Sequence, residues 1–264
     1  LSTGTLMMVA LGFDYSFGKI DHTIFGVAVP LVLCWAGWGR RFSFDAIRNP
    51  IRQGDQELPP QWPLRLMALI VGLAFFTAAL AKFSGGWLST SSQAVRGYFL
   101  KRYVINGDAD GVAPILMAIH SPRAWELLDW FTVAFEAAIL ISVLVWPAFR
   151  VMLAVACVFH LSVLLMLDIA FSINVIAYGS FVYWSVICAP VRRLWGRPPP
   201  DMTRPVVRYA LICGLFVAGV IIQFAPLVHP KFLLSAAIVV LGAVSAIVYL
   251  AMVAGRAVHR PKPT

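Results

Sequence analysis

Seven mostly apolar stretches run through this chain, near residues 23–38, 63–83, 129–147, 150–167, 169–189, 206–228 and 231–254. A helix needs about 20 such residues to cross the hydrocarbon of a bilayer, and there its backbone N–H and C=O groups must be bonded within the segment. The expectation is an all-α polytopic transmembrane helix bundle with about seven spans plus short interfacial helices. Composition points the same way. Hydrophobic residues make up 60% of the chain and charged residues 12%, with a mean hydropathy of +0.82, whereas soluble domains carry about a quarter charged residues. Multiple runs exclude a lone cleaved leader as their source. Leu1 in place of Met predicts a fragment boundary or a processed end. Residues 1–255 read as a single transmembrane domain and 256–264 as a basic tail.

Charge sets the expected orientation. With sides alternating at each span, one side collects fourteen Lys and Arg residues and the other seven. The positive-inside rule makes the richer side cytoplasmic, together with the tail "RAVHRPKPT", and turns the long 84–128 loop outward. Topology of this kind accounts for the net charge of +9, so nucleic acid is not an expected partner. The expected setting is a bacterial inner membrane. Trp146-Pro147, Asp168 and His229-Pro230 are expected to separate neighbouring spans as tight hairpin turns. Within the outer loop "GDADG" (107–111) reads as a turn that lacks the remaining ligands of a calcium loop, and "VAPILMAIH" (112–120) as an interfacial dip. In the 39–62 loop Ser43 is placed to cap a short surface helix.

Ionisable groups inside spans are expensive and mark function by default. "FFTAALAKFSGGW" (75–87) ends an apolar run on Lys82, followed by two glycines and Trp87. His22 closes "FGKIDH" beside Lys19 and Asp21. Glu136 lies seven residues past Asp129, about 10 Å along a helix, and His160 eight residues before Asp168, about 12 Å. With alternating spans, His22, Lys82, Glu136 and His160 all fall in the outer half of the membrane. Each also has a plain structural reading. Lys82 can snorkel to the surface, His22 can be interfacial, and Glu136 can pair with His160 across adjacent helices. Asp168 reads as a turn residue, and Trp35, Trp38, Trp87, Trp130 and Trp184 as belt anchors near span ends. Cys34, Cys157, Cys188 and Cys213 form no metal spacing and read as buried thiols; no metal is predicted. Neither a GxSxG elbow nor a phosphate-binding glycine loop occurs.

Three stretches carry a resemblance: "FGKIDHTIFGVAVPLVLCWAGWGRRFSFDAI" (17–47), "LRLMALIVGLAFFTAALAKFSGGWL" (64–88) and "FHLSVLLMLDIAFSINVIAYGSFVYW" (159–184). They resemble the membrane core of the vitamin K-dependent gamma-glutamyl carboxylases, and more closely the HTTM (horizontally transferred transmembrane) domain proteins. The G-K-x-x-x-H-like start, the "RRFSFDA" stretch and the A-x-x-K-x-x-x-x-W spacing bear most of the likeness. The resemblance implies a reduced, vitamin K hydroquinone-like quinone as cofactor, Lys82 as the base that deprotonates it, and His22 in support. Membrane lipid, a quinone and other membrane subunits are the partners it leads us to expect. His160, Glu136, Lys19 and Trp87 are then candidates to line the quinone pocket, and the family's early spans belong before Leu1. "SGG" (84–86) would let a flat ring approach the amine closely. The alternative expectation is a non-catalytic protein that binds lipid or a partner subunit, its polar groups serving to hold helices together. A transporter is disfavoured by the lack of internal repeats.

Overall fold

The computed structural model describes residues 24–36, 60–105, 107, 112–182 and 228–258. Every regular element among them is helical. In chain order these are α1 (Ile24–Leu33, ending in a 3-10 turn Cys34–Ala36), α2 (Trp62–Ser84), α3 (Ala94–Leu100, ending in a π turn Lys101–Ile105) and α4 (Ala113–Met117). They are followed by α5 (Pro122–Ser142), α6 (Trp146–Leu167), α7 (Ser172–Tyr178, then a 3-10 turn Gly179–Phe181) and α8 (Val228–Val258).

Among the described residues three segments are long and apolar enough to cross a membrane: Trp62–Ser84, Trp146–Leu167 and Leu233–Gly255. They coincide with three of the seven expected spans. The helix over the expected 129–147 span is α5, which starts seven residues earlier and carries Arg123, Glu126, Asp129 and Glu136. Of the first expected span, Ile24–Ala36 is described, a shorter apolar helix. The expected 169–189 span is helical only over α7 and its 3-10 turn before leaving the described residues, and 206–228 lies almost wholly outside them. Ser43, Trp38, Trp184, Cys188 and Cys213 also lie outside the described residues.

The Cα trace divides into two compact units, one of residues Leu1–Met67 and Ile176–Leu234, the other of Ala68–Val175 and Ser235–Thr264. In the first, Trp35 and Trp62 meet with ring centroids 6.2 Å apart. Cys34 there is exposed rather than buried, its thiol donating to Leu31 O at 2.9 Å.

The second unit holds the α5–α6 hairpin. Its turn is Val143–Val145, closed by backbone bonds from Val143 to Leu140, Leu144 to Ile141 and Val145 to Ser142. Trp146-Pro147 therefore opens α6 instead of separating the helices. Proline has no N–H to lose in a first helical turn and its fixed φ suits that position. At the far end Asp168 stops α6 in the left-handed region (φ 58°), its N–H on Leu164 O, a conformation Asp tolerates better than most residues. Hydroxyls inside these helices bond to their own backbone one turn back, as Thr132 does to Leu128 O, Ser142 to Ile139 O and Ser162 to Phe159 O. This satisfies them without a partner helix. Gly72 lets α2 approach α5 closely: a Cβ there would stand 3.2 Å from Leu140 Cα and 3.1 Å from Val143 Cγ2.

Candidate functional site

The buried face of α2 is a stripe of Ala68, Val71, Phe75 and Ala79. Steps of three and four residues carry that stripe on to Lys82. The lysine therefore leaves α2 on its packed side, not toward lipid. On α5 the buried stripe is Trp125, Asp129, Thr132, Val133, Glu136 and Ile139, again at helical spacing. The two stripes meet at their polar members. Lys82 Nζ donates to Glu136 Oε1 at 2.7 Å and to Oε2 at 2.6 Å, with the lysine side chain 22% exposed and the carboxylate 7%. The plain readings of both residues are corrected by this contact. Lys82 does not extend away to the surface, and Glu136 has its partner on α2 rather than in His160.

The double glycine explains itself as a helix stop. Trp87 N–H reaches Lys82 O (3.1 Å) and Gly86 N–H reaches Phe83 O (3.2 Å), with Gly86 at φ 78°. These are the paired bonds of a Schellman motif, whose left-handed residue is normally glycine. The reversed chain lays the Trp87 ring over Lys82, its centroid 5.4 Å from Nζ, within cation–π range. So "SGG" does bring a flat ring to the amine, and that ring is the chain's own. Tyr98 of α3 packs on Trp87 at 5.9 Å.

Behind the pair, rings fill the space between helices. Phe75 meets Phe135 edge-on at 6.1 Å, and Phe135 packs on Phe131 at 5.8 Å and Phe159 at 5.1 Å. His160 is 3% exposed and sits among Phe75 (6.0 Å), Phe159 (5.9 Å) and Phe171 (4.8 Å). It belongs to this aromatic packing, whose Phe75 and Phe135 are shared with the faces that carry Lys82 and Glu136. His22 and Lys19 lie outside the described residues. Asp168 stands at the end of α6, 3.7 Å from Arg102 on the π turn. Among the described residues no group of three His, Cys, Asp or Glu side chains is arranged to hold a metal ion.

Sequence reasoning passed over Asp129, treating it only as the start of a span. It is fully buried, and it holds the N-terminus of α3 through Ala94 N–H (2.7 Å) and Val95 N–H (2.8 Å). The available signal was its spacing: seven residues before Glu136, hence two turns away on the same face.

Among the described residues, three apolar helices of spanning length packed in a chain whose carboxylates Asp129 and Glu136 are buried on α5 define an integral membrane protein of the α-helical class. Within that class the HTTM domain family model matches residues 10–191, and the chain belongs to that family. No curated protein and no solved structure matches it.

Proposed function

We propose that this HTTM-family protein is a quinol-dependent membrane enzyme, akin to the vitamin K-dependent carboxylases, in which Lys82 and Glu136 act together to take a proton from a reduced quinone. We place it in a bacterial inner membrane, and the charge count supports a C-terminal tail in the cytoplasm with Lys82 on the outer side. The observation that carries the reading is the bidentate Lys82–Glu136 contact at the end of an apolar helix, with the Trp87 ring over the amine. The residues suit a quinol: a part-exposed amine can meet a hydroxyl, and the rings of Trp87 and Tyr98 can take a flat aromatic face.

A bound quinol would supply an acidic hydroxyl and, with molecular oxygen, the oxidative chemistry. The chain's part is proton handling. As an ion pair, Nζ holds the proton and Glu136 the negative charge. For Nζ to accept a proton, the one it carries crosses the 2.6 Å contact to Glu136, leaving a neutral amine beside a neutral acid. The exchange separates no charge, because the proton moves between two atoms already in hydrogen-bond contact. With a quinol bound, the role of Lys82 would be to hold the hydroxyl proton at Nζ while Glu136 keeps the proton it has received. Phe75 and Phe135, on the helices that carry the pair, and His160 of α6 are all buried and pack together, an aromatic lining suited to limiting water there.

The test is oxygen consumption by purified protein with reduced quinones. Lys82→Ala is expected to lower turnover at least about a hundredfold, the usual contribution of a positioned acid–base group. Equal rates for wild type and Lys82→Ala would overturn the reading. They would favour the second one, a non-catalytic lipid- or subunit-binding protein in which the same short contact serves to clamp α2 against α5.

A further inference from the structure

Between Lys82 and the start of α3 the chain makes a small cap that hangs on one carboxylate. Gln93, at the N-cap position of α3, has left-handed backbone (φ 38°) and makes no side-chain cap bond; its Oε1 accepts from Arg96 instead. Asp129 of α5 does the capping, Oδ2 accepting from Ala94 N–H and Oδ1 from Val95 N–H. The Ser92 hydroxyl stands 3.3 Å from Asp129 Oδ2 and 3.0 Å from Trp87 O, its one proton shared between two acceptors. Trp87 and Tyr98 are thus tied to Asp129 from two sides, Trp87 through Ser92 and Tyr98 as part of the helix that Asp129 caps. The opposite end of the cap is the Schellman turn at Gly86, held by backbone bonds. Gly86 has positive φ, and nothing lies within 4 Å of where its Cβ would stand.

We propose that Asp129 is a positioning residue that holds the Trp87–Tyr98 cap over Lys82 and so controls how readily a ligand reaches the amine. The proposal rests on the reading of Lys82 and Glu136 as the site. The Trp87 ring now lies on the amine, where the flat face of a quinol would have to be. A ligand that takes the ring-covered face of the amine must stack on that ring or displace it. Displacement means moving the Trp87 ring off the amine and away from Tyr98, and the backbone that carries both rings is tied to Asp129 through Ser92 and the start of α3. Beside the Schellman bonds at Gly86 and Trp87, what resists is the set of bonds to a buried carboxylate, each stronger than a bond between neutral groups.

The experiment reads the amine rather than turnover. The full-length purified protein is treated with a limiting water-soluble acylating reagent, and modification of Lys82 is followed by mass spectrometry relative to exposed Lys101. Asp129→Asn keeps the shape of the side chain but loses the charge. It is expected to raise the Lys82/Lys101 ratio about tenfold, as loss of charge-assisted bonds to a closed form would. Ser92→Ala should raise it about threefold, one neutral bond being lost. Leu153→Ala, a core truncation in α6, should leave the ratio at its wild-type value. An unchanged ratio in folded Asp129→Asn protein overturns the proposal. Should that variant fail to fold, an unchanged ratio in Ser92→Ala does so. An equal rise in Leu153→Ala would show general loosening and overturn it as well. Because the readout is amine reactivity, a protein with no quinol turnover can still show the gate, and an active one can lack it.

Discussion

Helix α5 and the part of α8 from Ser235 onward lie in the same compact unit and solve the membrane problem in opposite ways. On α5 the buried stripe includes Asp129, Thr132 and Glu136, while Leu127, Phe131 and Ile141 are more than half exposed. On α8 the buried positions are Val239, Ala243 and Ala246, and Leu241, Val244, Ile247 and Val248 are exposed. Bilayer hydrocarbon is as apolar as a protein core, so exposing leucine there costs nothing. What orients a helix is the group that hydrocarbon cannot accept, or the small residue that permits a close approach. Carboxylates rotate α5 inward; small residues do so for α8.

The largest expected effect follows from breaking the polar device. Glu136→Ala leaves a mostly buried ammonium without its partner, which should cost about 3 kcal/mol and lower the melting midpoint clearly in detergent. Lys82→Met together with Glu136→Leu should recover most of that loss. Failure of the double variant to recover would mean the pair does more than balance charge. A smaller effect is expected from the small-residue device. Gly242→Ala would press a Cβ into Val175 Cγ1, costing about 1–2 kcal/mol, and Val175→Ala in the same chain should restore stability. Smallest of all is the lipid-facing position. Leu241→Ala is expected to change the midpoint by no more than about 0.5 kcal/mol equivalent, and a larger change would identify a protein surface covering that face of α8.

The helices themselves were legible in the run lengths. Trp62–Ser84 and Trp146–Leu167 fall within a few residues of the apolar stretches that predict them, because a segment must bond its own backbone in hydrocarbon whatever its neighbours do. Turn positions were less legible. Trp146-Pro147 looked like a break, yet proline is as comfortable in the first turn of a helix as just beyond its end, and only the closed bonds at Val143–Val145 distinguish the two. At the site, the sequence singled out Lys82 and Glu136 as charges too deep to be idle. It did not say that they touch, nor that Asp129 belongs with them. Fifty-four residues separate the partners, and nothing local records which face of α2 packs on which face of α5.

Length, apolar content and the family likeness were therefore the chain's own to declare, since each depends on local composition and order. Which charges neutralise each other, which ring covers the amine and which carboxylate holds that ring depended on helix rotation and a close approach at Gly72. Those are settled only when side chains from distant segments compete for the same few cubic ångströms, and the tertiary structure alone decides the winner.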